Sequence, residues 1–245
     1  MVFSRVAAIC WVVLAGVGVS TTVADASRSG DKHLAATAVL RLGDLPRGWQ
    51  RYGIRDLVAA GQKVRAGIAK CAGYDAAGRL VAKQPRAVSS FRNHNAYVSS
   101  EVVVFPTPEA AHALVAAFRD SSVPICLQQA DGALIKQNLG GSSSSTTFYG
   151  LRVRQLPVDP LGDESVAYQT VAEFGTGSLH LPLAQYGDDE IVRVGRSVAR
   201  FIFQDDGKPD PHLTRTVEDT VTSRLADVAQ VPSTRPTTTL ASSTR

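Results

Sequence analysis

Arginines on two predicted strands form the set of side chains best suited to binding chemistry in this chain. Arg152 and Arg154 lie two residues apart in one strand, so their side chains point to the same face of the sheet. Arg193 lies in the last long strand, with Arg196 and Arg200 expected on its opposite face. Guanidinium groups bind carboxylate, phosphate or sulfate through paired hydrogen bonds. Arg152, Arg154 and Arg193 are therefore the candidate ligand-binding residues, for an anionic small molecule or envelope ligand. The alternative is that they form the solvent-exposed face of a one-sided sheet.

Patterns for catalysis and for metal binding are weak. The run 195–199 (Gly-Arg-Ser-Val-Ala) approaches the nucleophile elbow of serine hydrolases, but it ends in Ala and lies inside a β run. The five histidines lack the spacing of paired metal ligands, and the acidic run 188–190 is typical of a solvated turn. The sequence predicts a non-enzymatic protein without metal or cofactor. The alternative is a secreted hydrolase whose residues meet only in the folded chain.

The N-terminus has the three parts of a cleavable secretory signal over residues 1–26. Arg5 supplies the positive charge, an uncharged apolar run extends from Val6 to Val19, and residues 24–26 (Ala-Asp-Ala) fit the pattern that signal peptidase cleaves. The apolar run is shorter than the ~20 residues that span a bilayer. We therefore expect a secreted, extracytoplasmic protein with no membrane span after cleavage. A retained N-terminal anchor is the alternative.

Two cysteines, Cys71 and Cys126, remain once the signal is removed. An even pair in an exported chain predicts a disulfide, which would stabilise the fold by about 4 kcal/mol in the chain-entropy model. A catalytic thiol is the alternative. The formal net charge of +4 is not clustered, which argues against nucleic acid as a partner. The sequence does not predict an oligomeric state.

The elements that must position these residues are antiparallel strands and amphipathic helices. Strands are expected over 86–91, 97–105, 146–156, 165–174 and 191–203. Helices are expected over 108–120, over 125–138, and from Pro211 to Pro232. Together they predict an α+β fold, a twisted antiparallel sheet with two or three helices packed on one face and one disulfide.

Two of these predictions depend on local signals. Thr107 can cap the first long helix and Pro108 suits its first position, since the missing N–H costs nothing there; Pro124 then separates this helix from the next. The connection over 175–190 exceeds a usual hairpin loop, so it predicts either an extra strand or a functional loop.

The composition divides the chain into four parts. After the signal peptide, residues 27–37 are polar and predict a flexible leader. Residues 38–230 fit a single domain by size, and the Ser/Thr/Pro-rich tail over 231–245 is expected to be disordered because it has almost no apolar residues to bury.

Four stretches occur together in a recognisable order: LGDLPRGW at 42–49, VVVFPTPEAA at 102–111, GDES at 162–165 and VRVGR at 192–196. Their arrangement over roughly residues 38–230 resembles the actinobacterial exported sensor-like domain, found in secreted proteins, in lipoproteins and outside some receptor serine/threonine kinases. The resemblance implies an α+β fold, a disulfide at the cysteine after the strand–helix unit, and a cleft for an unidentified small or envelope-derived ligand or partner. It brings no catalytic residues. The expected function is therefore a secreted, non-enzymatic binding or sensor-like module.

Overall fold

The computed structural model describes residues 24–53, 79–140, 146–158, 161–176 and 181–229. Within these residues, seven strands form one antiparallel sheet: β1 Gln50–Arg51, β2 Arg86–Asn93, β3 Ala96–Val104, β4 Thr146–Leu156, β5 Glu164–Thr176, β6 Leu181–Val194 and β7 Ser197–Asp205. In the described part of the chain, a short 3-10 helix over Leu42–Asp44 and helical residues at 79–81 accompany four α-helices: α1 Ala24–Ala38, α2 Pro108–Phe118, α3 Val123–Gly140 and α4 Pro211–Ala229. The predicted α+β class is confirmed.

The strand order is β1-β2-β3-β7-β6-β5-β4, and every neighbouring pair is antiparallel. β7 lies beside β3, with Val104 opposite Ser197 at one end and Tyr97 opposite Gln204 at the other. This pairing joins the N-terminal strands to the C-terminal ones, so β3, β7 and β6 form the centre of the sheet.

Helices cover both faces of the sheet, whereas the sequence predicted helices on one face only. We call the face that carries Val103 and Ile202 the front face; α2 packs on it, and α3 extends this layer to β4. The face that carries Val102 and Phe203 is the back face, covered by α1 and α4. The central strands β3 and β7 are buried on both sides because their apolar residues are consecutive rather than alternating, which is the pattern of a sheet enclosed between two layers.

The predicted strand 191–203 is two strands joined by a tight turn. β6 ends at Val194 and β7 begins at Ser197, and these two residues pair with each other. Gly195 in the turn has φ of +58°, a conformation that glycine adopts without steric cost. The connection 175–190 is largely strand in its described residues, because β5 extends to Thr176 and β6 begins at Leu181; these residues belong to the two long strands rather than to an extra short strand.

The predicted flexible leader 27–37 lies instead in helix α1. Ala35 and Ala38 are completely buried against the back face, where they join the same apolar cluster as Leu40 and Val98. Asp31 bonds Arg196 at 2.6 Å and so ties the helix to the β6–β7 turn. Small side chains allow close packing, so this helix docks with few large apolar residues.

The predicted cap and the predicted start of α2 are confirmed. Thr107 Oγ1 accepts a hydrogen bond from the Ala110 backbone N–H at 3.2 Å, and α2 begins at Pro108. Pro124 does not separate the helices but lies in the first turn of α3, where a missing N–H is tolerated. The separation comes earlier, where Asp120 Oδ1 accepts hydrogen bonds from the backbone and hydroxyl of Ser122.

Several predictions concern residues outside the described ranges. Cys126 is buried on α3, but Cys71 lies outside the described residues, so their disulfide stays a prediction. The same holds for most of the signal peptide and for the tail 231–245. In the described part of the chain, no helix is both long enough and apolar enough to cross a membrane.

Candidate functional site

The three candidate arginines do not converge. Arg152 and Arg154 share the back face of β4, where Arg152 forms an ion pair with Glu173. Arg154 donates to Gln169 Oε1 at 2.7 and 3.2 Å. Arg193 lies on the front face, because its cross-strand partner Val198 is part of the front core.

Arg193 and Arg200 share the front face, contrary to the prediction that they lie on opposite sides. The two-residue turn at 195–196 reverses the chain between them, and Arg196 lies in this turn rather than in a strand. Arg196 donates to the backbone oxygen of Phe105 at 3.0 Å. The arginines of the predicted set are therefore distributed over two faces and a turn, and each has a polar partner.

Buried polar side chains collect instead on the front face, at the middle of the sheet. Cross-strand registers bring them together, since Glu101 lies opposite Arg200 and Ser90 lies opposite Ser99. Helix α3 adds Asp131 from above the sheet. We call this set the front polar cluster; each member is at most 7% exposed, and they are Ser90, Tyr97, Ser99, Glu101, Asp131, Asp189, Arg200 and Gln204.

A buried ion pair forms the centre of the front polar cluster. Arg200 donates from Nε to Asp189 Oδ1 at 2.8 Å and from Nη2 to Asp189 Oδ2 at 2.6 Å, the paired geometry that gives charged hydrogen bonds their strength and direction. The guanidinium carbon lies 5.7 Å from the centre of the Phe118 ring, within cation–π range. Helix α2 thus covers the pair and excludes water from it.

Asp131 is a fully buried member of the cluster with an unused acceptor oxygen. It is 1% exposed, and its Oδ2 has no hydrogen-bond partner. Burial raises the pKa of Asp131 to about 7; Arg200 lowers it and the neighbouring Asp189 carboxylate raises it further. This carboxyl group therefore changes charge near neutral pH, beside an arginine already neutralised by another aspartate.

Tyr97 marks the opposite side of the front polar cluster. Burial raises the pKa of Tyr97 to about 12, although the neighbouring side chains of Ser90 and Ser99 lower it. The ring of Tyr52 meets it edge to face at a centroid distance of 5.9 Å. The phenol is therefore neutral at physiological pH and is held in place by both hydroxyl and aromatic contacts.

This cluster is not predicted by the sequence, because the acidic run 188–190 is typical of a solvated turn. In the structure the three acids lie on β6. Because successive side chains of a strand point to opposite faces, Asp189 lies on the front face and Asp188 and Glu190 lie on the back face. Asp189 is 0% exposed. Residues 187–190 (Gly-Asp-Asp-Glu) are of types that are depleted in strands, so no local signal places these acids inside a strand.

The motifs that carry the family resemblance have structural roles here. Glu164 accepts hydrogen bonds from Arg193 Nε at 2.6 Å and from Arg119 Nη1 at 3.1 Å, and His112 Nδ1 lies 2.9 Å from both of its oxygens. Burial raises the pKa of Glu164, but the bonds from His112 and Arg193 outweigh this and lower it overall. These contacts fasten α2 to β5 and β6.

A second such contact joins the start of the domain to α4. Arg224 donates to both oxygens of Asp44 at 2.6 and 2.7 Å. The hydrogen bonds from Arg224 lower the pKa of the Asp44 carboxyl. Asp44 belongs to the LGDLPRGW stretch, so this motif too contributes to packing.

No group of three metal-binding side chains occurs among the described residues. Of the histidines that the structure describes, His112 is engaged by Glu164, while His33, His94 and His212 are exposed. In this part of the chain no serine is hydrogen-bonded to a histidine.

No protein-family model matches the chain, and no curated protein matches it. Among solved structures, the chain is similar to the extracellular domain of PknH from Mycobacterium tuberculosis, with a TM-score of 0.40 and 10% identity over 81% of this chain and 95% of that one. At this level the similarity does not establish a shared fold.

Proposed function

We propose that this protein is an exported, non-enzymatic, sensor-like binding module, and that its front polar cluster binds a small polar ligand. The ligand is either free or derived from the cell envelope. The observation that carries this proposal is the buried carboxyl group of Asp131, whose Oδ2 has no partner beside the Arg200–Asp189 pair.

The polar character of the cluster supports a binding role because stability alone does not require it. Replacing a buried ion pair with apolar residues is often neutral or stabilising, and an unpaired buried acceptor costs about 1–3 kcal/mol. A ligand group that pairs with Asp131 would offset this cost. A binding role would explain why such a group lies in the core.

The balance of charge indicates which ligand chemistry fits. Glu101 faces Arg86 at 3.6 Å and Asp189 pairs with Arg200, so Asp131 is the acid in excess. A hydroxyl or ammonium group could donate a hydrogen bond to it. We therefore propose a hydrogen-bond donor as the ligand, rather than the anion suggested by the sequence.

The test compares small molecules that co-purify with the full-length chain secreted by its native host, measured by untargeted mass spectrometry after denaturation. Asp131→Asn preserves shape and removes the charge. We expect a compound that is retained by the wild type and is depleted about tenfold or more in this variant, because a hydrogen bond to a charged group is worth about 1.5–3 kcal/mol.

Arg152→Gln is the matched variant, because it removes a charge from the back face and leaves the front polar cluster intact. Depletion in Arg152→Gln but not in Asp131→Asn would place the ligand at the surface arginines instead. Finding no compound above the level of an unrelated secreted protein would contradict a binding role.

Export and oxidation are tested on the same material. The intact mass of the secreted protein should correspond to a chain that begins after Ala26, with Cys71 and Cys126 protected from alkylation until a reductant is added. A full-length mass with both thiols reactive would contradict the proposed location.

A further inference from the structure

We propose that Glu190 on β6 and Glu218 on α4 form a proton-controlled latch that holds α4 on the back face and loosens as the pH rises. This device is independent of the proposed ligand site, which lies on the opposite face of the sheet.

The two carboxyl groups meet at the interface between the sheet and the helix. Glu190 is 7% exposed and Glu218 is 4% exposed. The two side chains lie within hydrogen-bonding range of each other, so that a hydrogen bond between them is possible. Since an ionised carboxylate can only accept, one partner must carry a proton for this bond to exist.

The surroundings of the latch offer little other compensation. The strands beside β6 place apolar Phe201 and Ala167 opposite Glu190. Neither Glu190 Oε1 nor Glu218 Oε1 has a hydrogen-bond partner, and the hydroxyl of Thr222, one turn further along α4, has none either. A second negative charge would therefore be buried without a donor to stabilise it.

The charged groups that act on the latch lie on its own two elements. Arg215 on α4 favours ionisation of both glutamates, whereas Asp219 on α4 disfavours ionisation of Glu218. On β6, Asp188 and Asp189 disfavour ionisation of Glu190. Arg215 is more than half exposed and forms an ion pair with Asp219 at 3.5 Å, so its effect is screened by water.

The direction of the pH effect follows from burial. Burial raises the pKa of both glutamates, and raises that of Glu218 to about 10. When α4 leaves the sheet, both groups return to an ordinary pKa near 4.3. At pH values between the pKa of the open state and that of the closed state, opening releases one proton. The equilibrium constant for opening therefore increases about tenfold for each pH unit. The latch is closed in acid and weakens towards alkaline pH.

The test is hydrogen–deuterium exchange on the full chain between pH 5 and pH 8, expressed as protection factors so that the intrinsic pH dependence of exchange is removed. In the wild type, the amides of residues 217–225 in α4 should lose about tenfold in protection per pH unit. Amides of α2 serve as the internal reference, because α2 packs on the other face.

Glu218→Gln and Glu190→Gln each replace the shared proton with a permanent amide donor. Both variants should keep the protection of α4 nearly constant over this pH range, while Asp227→Asn, an exposed change on the same helix, should behave as the wild type does. Constant protection in the wild type would overturn the proposal. So would a pH-dependent loss that persists in both glutamine variants.

Discussion

The backbone at Gly162 cannot accommodate a side chain. Its φ is +61°, and a Cβ placed there would lie 2.4 Å from the Arg193 carbonyl oxygen and 2.9 Å from Val194 Cγ2. Two costs combine in Gly162→Ala: the left-handed conformation and the forced movement of β6. We expect this variant to lower the free energy of unfolding by about 2–4 kcal/mol in urea denaturation.

Gly207→Ala is the control for this prediction. Gly207 lies in the exposed turn after β7, has no atom within 4 Å of a built Cβ and does not have a positive φ. Its substitution should change stability by no more than about 0.5 kcal/mol. Equal effects of the two substitutions would show that the close approach to β6 does not constrain the fold.

Single residues were predictable from the sequence only where their partners are local. Thr107 and Pro108 were assigned correctly because a helix start depends on the next few residues. Asp44 bonds Arg224 across a separation of 180 residues, and no local pattern can indicate such a pair. The same limit hid the front polar cluster, whose members come from β2, β3, β6, β7 and α3.

At the scale of elements, the cap of α2 determines how the front layer begins. The Thr107 hydroxyl satisfies one of the free N–H groups of the first turn. Thr107→Ala should lower the free energy of unfolding by about 1 kcal/mol. Thr107→Ser keeps the hydroxyl and should retain most of that stability, so equal losses in both variants would contradict the capping role.

Strands were easier to predict than the connections between them. The limits of β4 and most of β2, β3 and β5 follow from apolar alternation and turn residues. The β6–β7 hairpin was missed because Ile191–Val194 and Ser197–Phe203 read as one apolar run, and a glycine inside it is equally compatible with a strand or a turn. Only the pairing of Val194 with Ser197 distinguishes the two.

At the scale of the whole molecule, the sheet lies between two helical layers with different polar contents. The prediction of one covered face is wrong because residues 27–37, whose polar composition predicts a flexible leader, form most of α1. Ala35 and Ala38 of α1 are buried against the sheet, but α1 lacks the stripe of large apolar residues that identifies a core helix. The back layer therefore depends on α1 and α4 together.

Two sets of carboxyl groups change the stability of the fold in opposite directions as the pH rises. Ionisation of the Glu190–Glu218 latch lowers stability as the pH rises. Asp44 acts at the acid end, because the hydrogen bonds from Arg224 lower its pKa in the folded state. Its contribution is complete above the ordinary aspartate pKa of about 3.9 and is lost as the pH falls through the lowered value. We therefore expect the greatest stability at mildly acidic pH.

Asp44→Asn isolates the acid limb of this profile. At pH 7 the variant should unfold with a free energy about 1–3 kcal/mol below that of the wild type, because a charge-assisted pair of hydrogen bonds to Arg224 is lost. The difference should shrink as the pH falls through the lowered pKa, since the wild-type carboxyl is then protonated as well. Urea denaturation at each pH measures this.

Glu173→Gln is the control, because it removes the exposed ion pair with Arg152; this variant should lower the free energy of unfolding by at most about 1 kcal/mol. If the deficit of Asp44→Asn stays constant down to pH 2, its effect is one of packing rather than of charge.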